Sequence, residues 1–138
     1  MKARVFLDTD IALDLLAARH PHYDFAARLF TLADQNKLHL FVSALCFSNL
    51  HYLLTKQRGR VDSLSILRDF RVLVTVVGVD GKTINLALNS TFADFEDAIQ
   101  YHAALSTGVS VLLTRNLKDY KNADIPVMTA EDYVKTLA

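Results

Sequence analysis

Two hydrophobic rhythms alternate along this chain. Val5, Phe6 and Leu7 form an unbroken apolar run that stops at Asp8, Thr9 and Asp10. A short run without polar alternation, ended by polar residues, reads as a strand buried on both faces. After Asp10 the spacing becomes helical: Ile11, Leu15 and Leu16 share a stripe, and Asp10 is placed to cap that helix. His20, Pro21 and His22 end it, and Phe25, Leu29, Leu32 and Ala33 mark a second helix over residues 23–35. Residues 38–42 read as a second buried strand with Ser43 at its tip, followed by a helix over 44–57 closed by Gly59 as a left-handed cap. Leu64, Leu67 and Phe70 mark a further helix, and the β-branched run 72–77 a third strand. Helices follow within 80–89 and 91–107, the latter ended by Gly108. Residues 109–113 read as a fourth strand with Thr114, Arg115 and Asn116 at its tip. A polar loop leads to a short edge strand at Pro126, Val127 and Met128, and Thr129 with Asp132 opens the last helix in the manner of a capping box.

Strands alternating with helices imply right-handed crossovers and a mainly parallel sheet covered on both faces. The expected fold is a three-layer α/β/α sandwich in which residues 1–138 form a single domain, and no repeat or linker interrupts it.

Composition narrows the partners. Fifteen basic residues balance fifteen acidic ones, which argues against broad non-specific nucleic-acid binding but leaves room for a basic rim around an acidic pocket. The single cysteine, Cys46, lies in an apolar run and reads as a buried hydrophobe in a reduced compartment. The basic start is followed by too short an apolar run for a signal peptide, and no run approaches a membrane span, so a cytoplasmic protein is expected. His20 and His22 flank a proline and read as a surface turn; His51 and His102 read as hydrogen-bonded or exposed helix residues, and Tyr23, Tyr52 and the phenylalanines mostly as core at helical spacing.

The candidate chemistry is carboxylate. Parallel strands share one C-terminal edge, where ligands bind in open α/β sheets. Asp8 and Asp10 leave the first strand there, and Asn116 and Asp119 follow the fourth. Asp94 and Asp97 lie three apart at the start of the preceding helix, on one side of it. Each of these acids, taken singly, has helix capping as its simplest explanation. Recurring at one edge, they would repel each other unless a cation neutralised them, and hard oxygen donors without a thiolate cluster favour Mg²⁺ or Mn²⁺. Arg115 and Lys118 flank the expected pocket as phosphate contacts or as solvated loop charges. Lys56, Arg58 and Arg60 form a second basic cluster beside Gly59.

Four stretches in order, Phe6 to Asp10, Ser43 to Leu45, Asp94 to Ala98 and Leu113 to Tyr120, resemble the motifs of the PIN-domain family, including VapC-like toxins. The resemblance covers essentially the whole chain. It implies a small metal-dependent endoribonuclease cleaving single-stranded RNA, commonly a homodimer and often paired with a small antitoxin. It also implies Asp8 as the central acid and metal ligand, with Asp97 and its neighbour Asp94 on the helix before the fourth strand. The fourth position falls to Asn116 or Asp119, and Thr9 and Thr114 are the supporting hydroxyls. One residue departs from the pattern: Asn49 stands six positions after Ser43, where the family typically has Glu. Asparagine offers a carbonyl oxygen but no charge, and cation affinity follows ligand charge count. A catalytically weakened module that binds RNA or protein therefore stands as an alternative. A haloacid-dehalogenase-type phosphatase, with Asp8 as nucleophile and Asp10 as general acid, is a third reading suggested by the Asp8-Thr9-Asp10 order. Ala12 and the placement of the later acids count against it.

Overall fold

Alternation within the apolar runs decides which residues face which layer. In the computed structural model, which describes residues 2–137, β1 (Ala3–Leu7) turns Val5 and Leu7 to one core and Phe6 to another. β2 (Leu38–Ser43) does the same with Leu40 and Val42 against Phe41, and β4 (Val111–Leu113) with Val111 and Leu113 against Leu112. A strand buried on both sides needs apolar residues at every position, which is why these stretches show no polar alternation.

With β3 (Thr75–Val77) and β5 (Val127–Met128) they make a five-stranded sheet in the order β3-β2-β1-β4-β5, every pair parallel. Helices α1 (Thr9–Leu16), α2 (Tyr23–Asp34), α3 (Ala44–Arg58), α4 (Arg60–Leu73) and α7 (Ala130–Thr136) contribute to the larger core, around Leu29, Leu54 and Phe70. Helices α5 (Gly81–Leu88) and α6 (Phe95–Leu105) cover the other face, where Tyr101 and Ala104 meet Phe6 and Leu112. A three-layer α/β/α sandwich results. Among the described residues no helix is long and apolar enough to cross a membrane.

Strand order reverses at β1: the chain steps from β1 to β2 and β3 on one side, and β4 and β5 lie on the other. The crevice of an open α/β sheet forms at such a switch, outside the carboxyl ends of the two strands that flank it. Here those ends carry Asp8 and Thr114, and the Asp8 amide extends the ladder by donating to the Leu113 carbonyl at 2.9 Å. Three helices begin directly at this edge, with Asp8, Ser43 and Thr129 as their N-caps.

Several boundaries differ from the sequence expectation. Val72 and Leu73 complete α4, so the third strand is only Thr75–Val77; Val72 is 84% exposed on the helix surface. The helix within 91–107 starts only at Phe95, and residues 109 and 110 precede β4. Gly59 has φ +84°, but it joins α3 directly to α4, closing one helix and opening the next. At the last helix Thr129 accepts from the Asp132 amide at 3.1 Å, the forward half of a capping box.

Candidate active site

Asp8 follows the last residue of β1 in an extended conformation, and its Oδ1 accepts the Thr9 amide at 2.7 Å, capping α1. The cap is thus Asp8, not Asp10 as the sequence suggested. An extended residue at the strand end is already in N-cap geometry, whereas Asp10 lies inside the first turn. The other Asp8 donors come from far along the chain. Thr114 Oγ1 reaches Oδ2 at 3.0 Å, Tyr120 Oη reaches Oδ2 at 3.1 Å, and Gln100 Nε2 makes a long contact with Oδ1 at 3.5 Å. Gln100 is itself fixed, donating to Thr9 Oγ1 at 3.0 Å and accepting from the buried Ser43 hydroxyl. Asp8 is therefore held by β1, β4, α6 and the turn after β4 together.

Asp97 enters the same site from α6. Asp94 caps this helix by accepting the Asp97 amide at 3.0 Å, which fixes the first turn and aims Asp97 inward. The Tyr120 hydroxyl lies between the two acids, 3.1 Å from Asp8 Oδ2 and 3.4 Å from Asp97 Oδ1. One hydroxyl proton can serve only one carboxylate at a time. Burial raises the Asp97 carboxyl to about 7, helped by the charges of Asp8, Asp94 and Asp119. Burial likewise raises Asp8, against the pull of its hydrogen bonds, with the Asp94 charge adding to the rise. Burial and then the Asp8 charge lift Asp10 to about 6 despite the nearby Arg115. Among the described residues, no basic side chain forms an ion pair with Asp8 or Asp97.

An open cavity of about 280 Å³ lies over it, lined by Asp8, Thr9, Asn49, Asp97 and Gln100, with Glu96, Tyr52 and Leu53 at its wall. Asn49 lines the same cavity as Asp8 and Asp97. Asp94 and Asp119 are exposed and do not line this cavity, although Asp97 feels the charge of both. Asn116 faces Asp10: its side-chain amide approaches Oδ2 at 3.4 Å, and its backbone amide donates to Thr114 Oγ1 at 3.1 Å. Asp10 Oδ2 also accepts the Arg115 amide at 3.1 Å. Asp10 is thus engaged through Oδ2 by the loop after β4, while its Oδ1 is buried without a hydrogen-bond partner.

Neither expected phosphate contact lines the cavity. The Arg115 guanidinium lies 3.2 Å from Asp14, a carboxylate only 2% exposed that also meets Arg19 at 2.9 Å. Lys118 is exposed on the 3₁₀ turn Leu117–Tyr120. Sequence reasoning missed Gln100, Tyr120 and Asp14. Gln100 lies one turn after Asp97, and Asp14 one turn after Asp10, so helical spacing from known acids was their signal. Tyr120 closes the Leu113 to Tyr120 motif stretch, but nothing along the chain assigned its hydroxyl a role. Tyr52, taken for core, is 60% exposed at the cavity wall.

The donor set suits a hard cation. Cys46 is buried, its thiol pushed up to about 12 by burial, and no histidine lines the cavity. Among the described residues no three His, Cys, Asp or Glu side chains converge tightly enough to form a protein cage. Mg²⁺ does not require one, since it is commonly held by one or two carboxylates with water and substrate oxygens completing an octahedron.

Comparison with known proteins agrees with this geometry. The curated protein Ribonuclease VapC1 of Aquifex aeolicus (strain VF5) is 25% identical, the match covering 94% of this chain and 92% of that one. The DNA-bound VapBC of Salmonella typhimurium superposes with a TM-score of 0.70 at 16% identity, covering 93% of this chain and 98% of that one. The Mycobacterium tuberculosis toxin VapC20, described as cleaving the sarcin-ricin loop, gives a TM-score of 0.61 at 18% identity, covering 78% of this chain and 86% of that one. The family model of the PIN domain matches residues 4–118, which takes in nearly all of β1, the strands β2 to β4, and Asp8, Asp10, Asp94 and Asp97, but not Asp119. The chain belongs to the PIN-domain family.

Proposed function

We propose that this protein is an endoribonuclease that hydrolyses phosphodiesters of single-stranded RNA with Mg²⁺ or Mn²⁺, acting as the toxin of a toxin–antitoxin pair. The observation that carries the reading is the Asp8–Asp97 pair. Two carboxylates share one hydroxyl at the topological switch point, open to a cavity, with their charged forms disfavoured by burial and mutual repulsion. When bound there, a divalent cation polarises a phosphodiester and lowers the pKa of an attacking water.

The chain's own residues supply orientation. Thr114, Tyr120 and Gln100 hold Asp8 in one rotamer, and the Ser43–Gln100–Thr9 chain of hydrogen bonds keeps Gln100 from turning. Asp8 and Asp97 would hold the cation directly, and Asn49 lines the same cavity. Asp94 acts by capping α6, and Asp119 by adding negative potential at the rim, joining the inner set if its turn shifts inward. Lys118 remains free to meet phosphate, while Arg115 is mainly committed to Asp14. The similar structures that carry a VapB partner support a small antitoxin as partner, and a homodimer in a cytoplasmic setting completes the proposal.

The test is cleavage of single-stranded RNA by purified protein in chelator, Mg²⁺ and Mn²⁺, comparing wild type with Asp8→Asn and Asp97→Asn. Metal-dependent cleavage that falls more than about 100-fold in Asp8→Asn, beyond the usual cost of removing an outer partner, is expected. Cleavage that ignores the metal or survives the substitution overturns the reading. Asn49→Glu adds a carboxylate beside Asp8 and Asp97 and should tighten Mg²⁺ binding in a calorimetric titration.

A further inference from the structure

Tyr52 is the aromatic side chain whose position departs furthest from the sequence expectation. Its ring is 60% exposed and forms part of the cavity wall above Asp8 and Asp97. Asn49, Tyr52, Leu53 and Lys56 recur at the spacing of one helical stripe, so this face of α3 leads outward from the acid pocket. Lys56 Nζ lies 4.2 Å from the Tyr52 ring centroid. It stands over the ring, and 60% of the Tyr52 surface nevertheless stays exposed. Beyond it, Arg58 and Arg60 are also exposed, and no acid interrupts the run from Asn49 to Arg60. In a chain whose formal charge is +0, this is a local concentration of cations at the junction of α3 and α4.

We propose that Tyr52 and Lys56 form a nucleotide subsite, in which Tyr52 stacks on a base adjoining the scissile phosphodiester and Lys56 takes a phosphate. The strand then leaves the acid pocket along α3 toward Arg58 and Arg60. An aromatic face stacks on any base, and an ammonium on a flexible stem meets phosphate as a point charge. The pairing of a flat ring with successive cations favours a polyanion bearing planar bases over a protein partner. The inference rests on the ribonuclease reading of the acid pocket, but Tyr52 binds substrate without touching the reacting atoms.

The experiment uses 2′-O-methyl RNA of about eight nucleotides, with 2-aminopurine at successive positions, titrated with wild type, Tyr52→Phe, Tyr52→Ala and Lys56→Gln. Wild type and Tyr52→Phe should quench one position, and Tyr52→Ala should lose that quench and bind about tenfold more weakly. Lys56→Gln should lower the salt dependence of binding by about one ion. With cleavable RNA, Tyr52→Ala should raise KM about tenfold while leaving kcat near wild type. Equal quench and KM in Tyr52→Ala and wild type, with cleavage intact, overturns the subsite and leaves the ribonuclease standing; the ring then belongs to a protein contact. A Tyr52-dependent quench without any cleavage upholds the subsite and overturns the ribonuclease. Absence of binding and cleavage by wild type overturns both.

Discussion

At the scale of single residues, Tyr120 does for this site what a cation would do in part. Its hydroxyl stands between two carboxylates and gives a donor to whichever is charged. The phenol is itself driven upward by burial and by the charges of Asp8 and Asp97, so it remains a donor throughout the physiological range. Tyr120→Phe keeps the ring that packs edge-on against Phe92 and removes only the hydroxyl. Leaving a buried acceptor short of a donor costs about 1–3 kcal/mol, so the variant should melt below wild type in chelator. Outer partners that orient metal ligands are worth about 10–100-fold in affinity or activity, and Mg²⁺ affinity should fall in that range. A Tyr120→Phe protein that binds Mg²⁺ as tightly as wild type would remove Tyr120 from the site's machinery. Gln100 has the same logic through Thr9 and Asp8.

At the scale of elements, the loop after β4 is anchored by one face of α1. Asp10 and Asp14 lie one helical turn apart. Asp10 takes the Arg115 amide, and Asp14 sits between the guanidiniums of Arg19 and Arg115. These last contacts are ion pairs, not aligned hydrogen bonds. Asp14→Ala leaves two cations without their carboxylate. A fully buried pair broken this way costs about 3–5 kcal/mol, but both guanidiniums keep about a third of their exposure, so about 1–3 kcal/mol is expected. Urea unfolding should show the lower midpoint, and a wild-type midpoint would show that the two ion pairs contribute nothing net. The same elements mark what the sequence could reveal. Runs such as Val5 to Leu7 and residues 38–42 were readable as strands because burial on both faces leaves no polar position. The run 72–77 misled because β-branched residues also tolerate a helix end, and α4 absorbed Val72 and Leu73. Asp8 and Asp97 were readable from motif order. Gln100 and Asp14 carried only the signal of helical spacing from Asp97 and Asp10, and no role for Tyr120 was legible, since which face of α1, α6 or a 3₁₀ turn meets the sheet edge is fixed by packing between distant segments.

At the scale of the whole molecule, the site places strain of charge on the fold that should be visible in its stability. Asp8, Asp10 and Asp97 all have folded-state pKa values raised above the ordinary 3.8, to about 6 for Asp10 and about 7 for Asp97. A folded state that holds these protons more tightly than the unfolded chain is favoured at low pH. That contribution is complete below 3.8 and is lost as pH rises through about 6 and then about 7. In chelator, the melting temperature should therefore fall between about pH 5 and about pH 8. Mg²⁺ or Mn²⁺ should restore it, and more at the upper pH than the lower, because the cation competes with protons for the same oxygens. Asp97→Asn removes one of the repelling charges without emptying its volume. It should raise the metal-free melting temperature at the upper pH and reduce the response to Mg²⁺. Differential scanning calorimetry across that range, with and without chelator, measures all three effects. A metal-free profile that stays flat or rises with pH would mean the acids are already compensated within the protein, leaving no electrostatic reason for a cation at Asp8.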